Sequence, residues 1–361
     1  MRLGGLKALR RQRGTVLITV VLIAAFVIVL VMQSIKTVRY QKQLSSNLIN
    51  RDQAYSYLMG MEELAKIWLK KAFAKSKDKN VHLNQPWAQQ DITFPIDGGG
   101  MTASIKDMQS CFNLNSVLLS ADDIDAGSGT KTQTGGGQNL PSPQRPPAGE
   151  GQFAGDKTPG QEVFEELFNR VNEDTETTGQ ALAAALRDWI DADLEPNGPD
   201  GAEDDYYQIM QPAYRTGNTL IAHASELRAM KDFSSKIYTA LLPHVCVLPD
   251  PSVNQINVNT VSQDSTALMM AILSSRNMSE SKVSEALNNG GEKGYEKIED
   301  FFDALGAKEQ INNKEMLTVT SDYFQMRAKA EIGNTRVAMK TLFKRDSDNN
   351  FRVVSRYIGK E

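Results

Sequence analysis

A long apolar stretch near the amino terminus dominates the hydrophobic pattern of this chain. Residues 15–32 form one apolar run, and about 18 such residues are enough for a helix to cross a bilayer. There is neither glycine nor proline between Thr15 and Met59, and large apolar side chains recur at helical spacing from Leu44 to Leu69. The pattern predicts one continuous helix over residues 15–75, roughly 90 Å long at 1.5 Å per residue. Its first half is apolar enough to lie in the membrane. Its second half has an apolar face on which a globular domain can pack.

Alternating apolar and polar positions predict five strands in two separate parts of the chain. Two early strands are joined by a turn at 97–100, where glycines supply positive φ angles at little cost. Three later strands are separated by the turns 333–334 and 346–350. We expect all five strands to pair in one antiparallel sheet; they span residues 91–95, 101–107, 322–332, 335–345 and 351–358.

Between the two strand regions the pattern changes to helical. Helices are predicted over 162–172 and 179–190, and the stretches 225–245 and 265–305 each read as a short helix, a turn and another helix. Helix pairs of this kind can contact a DNA backbone, but we favour a packing role. Residues 126–160 are rich in Gly, Pro, Ser, Thr and Gln, which predicts a mobile surface loop or a disordered segment.

The first fourteen residues form a basic leader that ends at Gly14. They carry five Lys and Arg and no acid, and the apolar run follows directly. A secretory signal would be cut after its apolar region, whereas here the plausible cut comes before it, between Gly14 and Thr15. This order is typical of the type III signals of type IV pilins and pseudopilins. Because basic flanks stay cytoplasmic, the rest of the chain is expected to face the periplasm or the cell exterior.

Charge and cysteine content narrow the classes of partner. The formal charge is −4, and it becomes −9 without the leader. An exported acidic domain argues against nucleic acid, which usually needs a basic face. Cys111 and Cys246 are the only cysteines. They can form one disulfide that persists in an oxidising periplasm, or they can remain two buried thiols.

One stretch, residues 188–205, concentrates carboxylates on a loop shaped by Gly and Pro. Crowded carboxylates repel one another unless protons or a cation neutralise them, and irregular oxygen donors suit calcium better than magnesium. Asp191, Asp193, Glu195 and Asn197 alternate as in an EF-hand, but Pro196 stands where the turn glycine is needed, and the closing acid comes one place late. We expect a calcium loop that is not an EF-hand. The alternative is a solvated acidic loop that caps a helix.

Signals of catalysis are otherwise lacking in the sequence. The three histidines have no metal-ligand spacing, and there is no nucleophile elbow or phosphate-binding glycine loop. Asp188 and Asp191 can be imagined as a glycosidase pair, but nothing else supports sugar chemistry. We therefore expect no enzyme, and a membrane-anchored calcium-dependent hydrolase is the weakest hypothesis.

Taken together, the motifs resemble those of the K-type minor pseudopilin of bacterial type II secretion systems. The resemblance covers nearly the whole chain and rests on residues 11–19, 107–109, 112–115, 188–193, 201–204, 225–228 and 256–260. It implies an α+β, pilin-like fold in which a large helical domain is inserted into the sheet. The implied division is leader 1–14, transmembrane and spine helix 15–76, first β part 77–112, inserted helical domain 113–317 and second β part 318–361.

The resemblance also implies specific sites. A prepilin peptidase would cut between Gly14 and Thr15, and the new amino terminus would be methylated. The family's calcium sites fall in the acidic stretch of the inserted domain, so the resemblance assigns the Ca²⁺ ligands Asp191, Asp193, Glu203 and Asp204, with Glu195 and Asn197 as further candidates.

Thr19 has a bearing on position in a fibre. Most pilin-like subunits carry a glutamate there, five residues after the cut, which is thought to neutralise the amino terminus of the subunit ahead. A charge inside the membrane costs about 3 kcal/mol or more, so a subunit with nothing ahead of it has no use for one. The K-type family shares this lack. Thr19 therefore fits the tip of the fibre.

The expected function is to initiate or cap the pseudopilus and to aid export of folded proteins. The resemblance implies I-type and J-type minor pseudopilins as partners, together with the major pseudopilin fibre, the inner membrane, and contacts with the secretin and with secreted cargo. The alternative is a minor pilin of a type IV pilus that acts in adhesion or DNA uptake.

Overall fold

The computed structural model describes residues 13–75, 80–88, 91–119, 157–172, 177–262, 265–273, 278–306 and 313–359. The first twelve residues of the predicted leader and residues 126–156 of the predicted loop lie outside this part of the chain. The described elements form a long helix, a five-stranded sheet that packs on it, and a helical head inserted into the sheet.

The spine is one uninterrupted helix, α1 (Arg13–Lys75), of 63 residues. The large side chains of its apolar run, Val16 to Met32, are exposed, as a membrane-spanning segment requires. Further along, Ala54, Leu58, Met61, Ala65 and Leu69 are buried at spacings of three and four residues, which places them on one face. The continuous helix predicted from the sequence is confirmed.

The sheet is antiparallel throughout, with strand order β1-β2-β7-β8-β9. Strands β2 and β7 are neighbours although more than two hundred residues separate them, so the insertion leaves and re-enters the sheet at adjacent strands. The single sheet predicted from the sequence is confirmed. Its strands are β1 (Ile92–Ile96), β2 (Gly99–Asp107), β7 (Tyr323–Ile332), β8 (Thr335–Arg345) and β9 (Phe351–Gly359).

One predicted turn is shorter than expected. Only Asp97 and Gly98 form the β1–β2 turn, with Gly98 at φ +79°, because Gly99 and Gly100 already belong to β2. Gly99 pairs with Ile332, and a side chain there would collide with the carbonyl oxygen of Glu331. The close approach of β7, rather than the turn, is what requires this glycine.

The inner face of the sheet packs on α1. The face is lined by alternate strand residues, and at its upper end the rings of Phe73, Trp87, Phe324 and Phe351 meet with centroids 5.2–5.8 Å apart. Contacts at these distances add to the burial of apolar area. This core fixes the sheet to the second half of the spine.

A buried ion pair joins α1 to the far edge of the sheet. Glu62 is fully buried, and it accepts hydrogen bonds from Arg356 Nε at 2.6 Å, Arg356 Nη2 at 2.7 Å and Thr341 Oγ1 at 3.1 Å. Burial alone would raise the pKa of Glu62, but these bonds outweigh it and lower the pKa below its usual value. The edge strand β9 is thereby tied to the helix.

The head contains seven helices within the described residues, with a single core of its own. Helix α2 begins at Pro159, inside the predicted loop and before the predicted start at 162, because Thr158 and Gln161 form a capping box. The stretch 265–305 holds three helices rather than two. The helices are α2 (Pro159–Val171), α3 (Gly179–Ile190), α4 (Asp204–Gln208), α5 (Ser235–Leu241), α6 (Thr266–Leu273), α7 (Glu280–Asn288) and α8 (Ile298–Leu305).

Two short parallel strand pairs sit where the head meets the sheet. They are β3 (Phe112–Asn113) with β4 (Val245–Cys246) and β5 (Ile256–Asn257) with β6 (Leu317–Thr318). The structure joins Cys111 to Cys246 as a disulfide, with Cα atoms 5.7 Å apart, and this bond links the chain just beyond β2 to β4. We call residues 107–113, 254–260 and 317–322 the neck.

A fully buried carboxylate organises the neck. Asp107 Oδ2 accepts hydrogen bonds from Ser321 Oγ at 2.6 Å, Thr260 Oγ1 at 2.6 Å and Asn257 Nδ2 at 3.1 Å, and Oδ1 accepts one from the backbone of Gln109 at 2.8 Å. Burial raises the pKa of Asp107, and these four bonds oppose the rise. All three chain segments of the neck therefore converge on one side chain.

Replacement of Arg356 by Met should destabilise the protein, because Glu62 would keep only Thr341 as a partner while remaining buried. We expect a loss of about 2–4 kcal/mol in the free energy of unfolding, measured by urea denaturation. Arg336→Met is the matched control, since Arg336 pairs with Glu331 at 3.0 Å on the exposed surface and should lose under about 1 kcal/mol. Equal losses in the two variants would contradict the role of Glu62.

Candidate metal centre

The acidic stretch begins at the end of a well-anchored helix. Thr178 caps the start of α3, Leu182 and Leu186 bury one face of it, and Asp188, Trp189 and Ile190 are buried at its end. The chain then forms an irregular loop from Asp191 to Glu203, and α4 follows at once. The loop is thus held at both ends by helices of the head.

The buried side chain of Asp188 fixes the path of this loop through hydrogen bonds to its backbone. It is fully buried, and its two carboxylate oxygens accept backbone hydrogen bonds from Asn197 at 2.9 Å and Ala202 at 2.6 Å. A Cβ atom at Gly201 would lie 2.3 Å from Asp188 Oδ2, so the loop closes only with glycine there. Burial raises the pKa of Asp188 to about 6, although both backbone bonds oppose the rise.

Three further carboxylates converge above Asp188. Asp191, Asp193 and Glu203 each place one carboxylate oxygen within 4.8 Å of the others. Asp193 is exposed, Asp191 is half-buried and Glu203 is only 4% exposed. Within the described residues, Asp191 Oδ1 and both carboxylate oxygens of Glu203 are buried without a hydrogen-bond partner. Buried acceptors without donors are costly, so the donor set fits a cation.

The acid–base properties of the cluster point the same way. Burial, followed by repulsion from Asp193 and Asp188, raises the pKa of Asp191 to about 7. Burial and the charges of the neighbouring acids raise the pKa of Glu203 to about 8. Without a bound cation, protonation of these carboxyl groups is what relieves their mutual repulsion.

The structure does not bring all predicted ligands together. Asp204 lies outside the cluster, since its Oδ1 accepts hydrogen bonds from the backbone and hydroxyl of Thr216 and its Oδ2 lies 3.7 Å from Arg215 Nε. Glu195 is exposed and also lies outside the cluster. The backbone N–H of Asn197 donates a hydrogen bond to the carboxylate of Asp188. The alternating spacing of Asp191 to Asn197 was therefore a poor guide, because this loop does not follow the EF-hand path.

Asn218 was not predicted from the sequence. Its Nδ2 lies 3.4 Å from the backbone oxygen of Asp193, and its Oδ1 is buried without a hydrogen-bond partner among the described residues. Its φ of +43° is one that Asn tolerates better than most residues. The dipeptide Gly217-Asn218 is a turn signal, but nothing local connects it to an acidic loop twenty-five residues earlier.

At the other end of the molecule, α1 is long and apolar enough to span a membrane. The side chains of its most apolar stretch are exposed. The helix includes Gly14 and Thr15, on either side of the predicted cut. Thr19 donates its hydroxyl to the carbonyl oxygen of Val16 at 2.9 Å, so it presents a satisfied, uncharged side chain.

Comparison with known proteins identifies the family. The family model for type II secretion system protein K matches residues 110–250. Type II secretion system protein K of Aeromonas hydrophila is 31% identical over 354 residues, which cover 97% of this chain and 98% of the relative. The chain belongs to the type II secretion system protein K family. The protein K of Klebsiella pneumoniae is 30% identical over 97% of both chains.

A solved structure supports the fold. A chain in the crystal structure of the GspK-GspI-GspJ complex from enterotoxigenic Escherichia coli matches with a TM-score of 0.68 and 23% identity, over 88% of this chain and 99% of that one. The likeness supports the α+β fold, which in this chain consists of a long apolar helix, an antiparallel sheet and a helical head. Members of the K family are minor pseudopilins, structural components of the type II secretion system.

The raised carboxyl pKa values predict how stability depends on pH in the presence of chelator. Asp188, Asp191 and Glu203 titrate near 6, 7 and 8 when folded, above ordinary values of 3.8 and 4.5. The folded state therefore holds more protons than the unfolded state, so stability is lost as pH rises through this range. We expect the Tm of the full chain in EGTA to fall between pH 5 and pH 8.

In the double variant Asp191→Asn/Glu203→Gln, the Tm in EGTA should fall less steeply between pH 5 and pH 8, because two of the three titrating groups are removed. Asp205→Asn, an exposed acid on α4, should keep the slope of the native chain. A Tm that stays constant or rises over this pH range in EGTA would show that the cluster does not carry the proton linkage.

Proposed function

We propose that this chain is the tip subunit of a type II secretion pseudopilus, where it initiates or caps the fibre and aids export of folded proteins. The observation that carries the tip position is Thr19, whose satisfied hydroxyl replaces a membrane-buried charge. A subunit with another ahead of it would use such a charge to pair with an amino terminus. The helical head also adds bulk beyond the sheet, which suits an end position better than a place within the shaft.

One face of the spine supports assembly with other subunits. Opposite the sheet, Leu64 and Ile67 are 54% and 62% exposed, although they are large and apolar. Gly60 lies on the same face, and a Cβ there would have no neighbour within 4 Å. A small residue beside exposed apolar side chains lets a second helix approach closely. We assign this face to the spine helices of I-type and J-type minor pseudopilins, as the Escherichia coli complex combines GspK with GspI and GspJ.

The membrane anchor and its processing follow from the same proposal. The helix α1 would span the inner membrane once, with the sheet and head in the periplasm, after a prepilin peptidase cuts between Gly14 and Thr15 and the new terminus is methylated. N-terminal mass spectrometry tests this step: methylated Thr15 supports it, and a retained leader rejects it. The type IV pilus alternative is not favoured, since the relatives are secretion proteins.

We further propose that the loop binds a structural Ca²⁺ ion through Asp191, Asp193 and Glu203, with the side-chain oxygen of Asn218 as an additional ligand. The support is the buried oxygens without donors on Asp191, Glu203 and Asn218, together with the carboxylate of Asp193, one oxygen of which lies within 4.8 Å of those of Asp191 and Glu203. Calcium takes six to eight oxygens and tolerates irregular geometry. A bound ion would neutralise the mutual repulsion of the carboxylates. It would thereby tie the end of α3 to the start of α4.

Substitution at the helix face should prevent assembly. Leu64→Glu places a charge where an apolar contact with a partner helix is proposed, so we expect co-purification with I-type and J-type pseudopilins to be lost. Ile209→Glu is the matched control, because Ile209 is 77% exposed in the head. Retained co-purification of Leu64→Glu, or equal loss in both variants, would overturn the assignment of this face.

Calcium should raise the Tm of the full chain at pH 8, because a ligand that binds only the folded state stabilises it, by about 2.7 kcal/mol at a hundredfold excess over Kd. Asp191→Asn should abolish the shift, and Asn218→Ala should weaken it. Asn218→Asp should retain it, since a carboxylate oxygen can replace the amide oxygen.

The control for this experiment is Asp205→Asn, which removes one charge from the same stretch outside the cluster. It should keep the full calcium shift. A native Tm that is the same in millimolar calcium and in EGTA would reject the site. A shift lost equally in Asp205→Asn would show diffuse charge neutralisation instead of a defined site.

A further inference from the structure

The outer face of the sheet, on the side away from α1, carries a group of basic side chains. Alternation along the strands places Lys106 of β2, Arg327 and Lys329 of β7 and Lys340 of β8 on this side. Lys106, Arg327 and Lys329 are exposed, and Lys340 is partly exposed. Tyr357 of β9, which is 53% exposed, continues the row beyond Lys340. We call these five residues the basic face.

The register of the sheet brings like charges together on the basic face. Arg327 is paired directly with Lys340 across β7 and β8, and with Ser104 across β2. Like charges in directly opposed positions destabilise a sheet. Lys106 lies diagonally beside Arg327, which adds a third like charge to the group. The arrangement works against the stability of the fold, so folding alone does not explain it.

The outer face of the sheet has few acidic side chains that could neutralise these positive charges. Among the described outer-face positions of the five strands, the one acid is Glu331, and it pairs with Arg336 at 3.0 Å. Arg327 Nε donates to the side chain of Gln325 at 3.1 Å. Within the described residues, no ion pair involves Lys106, Arg327 or Lys340. Among the described residues, Arg327 and Lys340 therefore carry positive charge that no ion pair neutralises.

The head contacts the outer face at several residues around Arg327 and Lys340. Lys344 lies 3.3 Å from Asp250, the ring of His223 stacks on Tyr357 with centroids 5.3 Å apart, and Tyr323 and Leu342 pack with Cys246 and Leu248. Among the described residues, no hydrogen bond or ion pair joins the head to Arg327 or Lys340. Residues 113–317 carry 15 Lys and Arg against 32 Asp and Glu, whereas the rest of the chain after the leader carries 20 against 12. The molecule is therefore divided into an acidic head and a basic body.

The basic face lies too far from the inner membrane to serve lipid headgroups. The β7–β8 turn at the membrane end of the sheet lies beside the spine at Asn50, where a Cβ on Gly333 would be 3.5 Å from Asn50 Nδ2. Asn50 follows Met32, the last residue of the apolar run, by eighteen helical residues, or about 27 Å along the axis. That distance exceeds a headgroup layer and several Debye lengths at physiological salt.

We propose that the basic face is a docking surface for a carboxylate-rich segment of another protein that lies outside the pseudopilus. Charge complementarity selects the acidic partner, because Arg327 and Lys340 are directly opposed like charges with no ion pair among the described residues. Because α1 covers the inner face, a fibre built from spine helices leaves this face pointing outward, a step that rests on the proposed function. Binding of an acidic partner would relieve the repulsion between Arg327 and Lys340.

The test uses the full chain in phosphatidylcholine nanodiscs and a fluorescein-labelled poly-L-glutamate of about twenty residues, measured by fluorescence anisotropy. We expect binding that weakens as NaCl rises from about 50 to 300 mM. The double variant Arg327→Gln/Lys340→Gln should bind about tenfold more weakly. Its Tm should be equal to or above that of the native chain, because the substitution removes a repulsion.

The matched control is Lys42→Gln/Lys71→Gln, which removes two exposed charges from the spine. It should bind within about twofold of the native chain. Three results would overturn the proposal: absence of binding at low salt, equal weakening in both double variants, or recruitment to phosphatidylglycerol vesicles that is lost only in the Arg327/Lys340 variant. The last would assign the face to lipid. None of these readouts depends on tip position, so failure here is separable from failure of the proposed function.

Discussion

The structure depends on the convergence of three chain segments on the buried carboxylate of Asp107. A buried charge is tolerated only with partners, and here the donors come from residues 109, 257, 260 and 321. They hold the chain where it leaves the sheet, where it passes through the head, and where it returns. The β2–β7 pairing and the Cys111–Cys246 disulfide act at the same place. Loss of these contacts would leave two cores joined by loops.

This constraint explains how a secretion subunit can carry a large head on a single helix. The sheet packs on residues 54–73 of the spine, the neck extends the sheet, and the head grows from the neck. In the proposed function, a push along the spine would then be transmitted to the head. The acidic loop does not take part in joining the head to the sheet. It lies within the head and connects two neighbouring helices, α3 and α4. None of these roles requires that a bond be made or broken.

Much of the fold was predictable because it follows from local periodicity. The spine, the five strands and helix α3 come from spacings of 3.6 and 2 residues, and the family resemblance supplied the insertion. The carboxylate cluster of the acidic loop was only partly predictable. Crowding of acids located it, but the choice of ligands depends on which carboxylates find other donors, and Asp204 finds Thr216. Asn218 and the partners of Asp107 come from distant segments, so no local pattern reveals them. The basic face likewise requires the register of the strands.

The most direct test of a rigidly mounted head is a distance measurement between the spine and the head in the full chain. Spin labels at Lys71→Cys on α1 and Lys282→Cys on α7, with the native disulfide intact, would be measured by double electron–electron resonance in nanodiscs. A single narrow distance distribution is predicted, and it should broaden when Asp107 is replaced by Ala. A broad distribution in the otherwise native chain would show that the neck is a hinge and would contradict the coupling of head to spine.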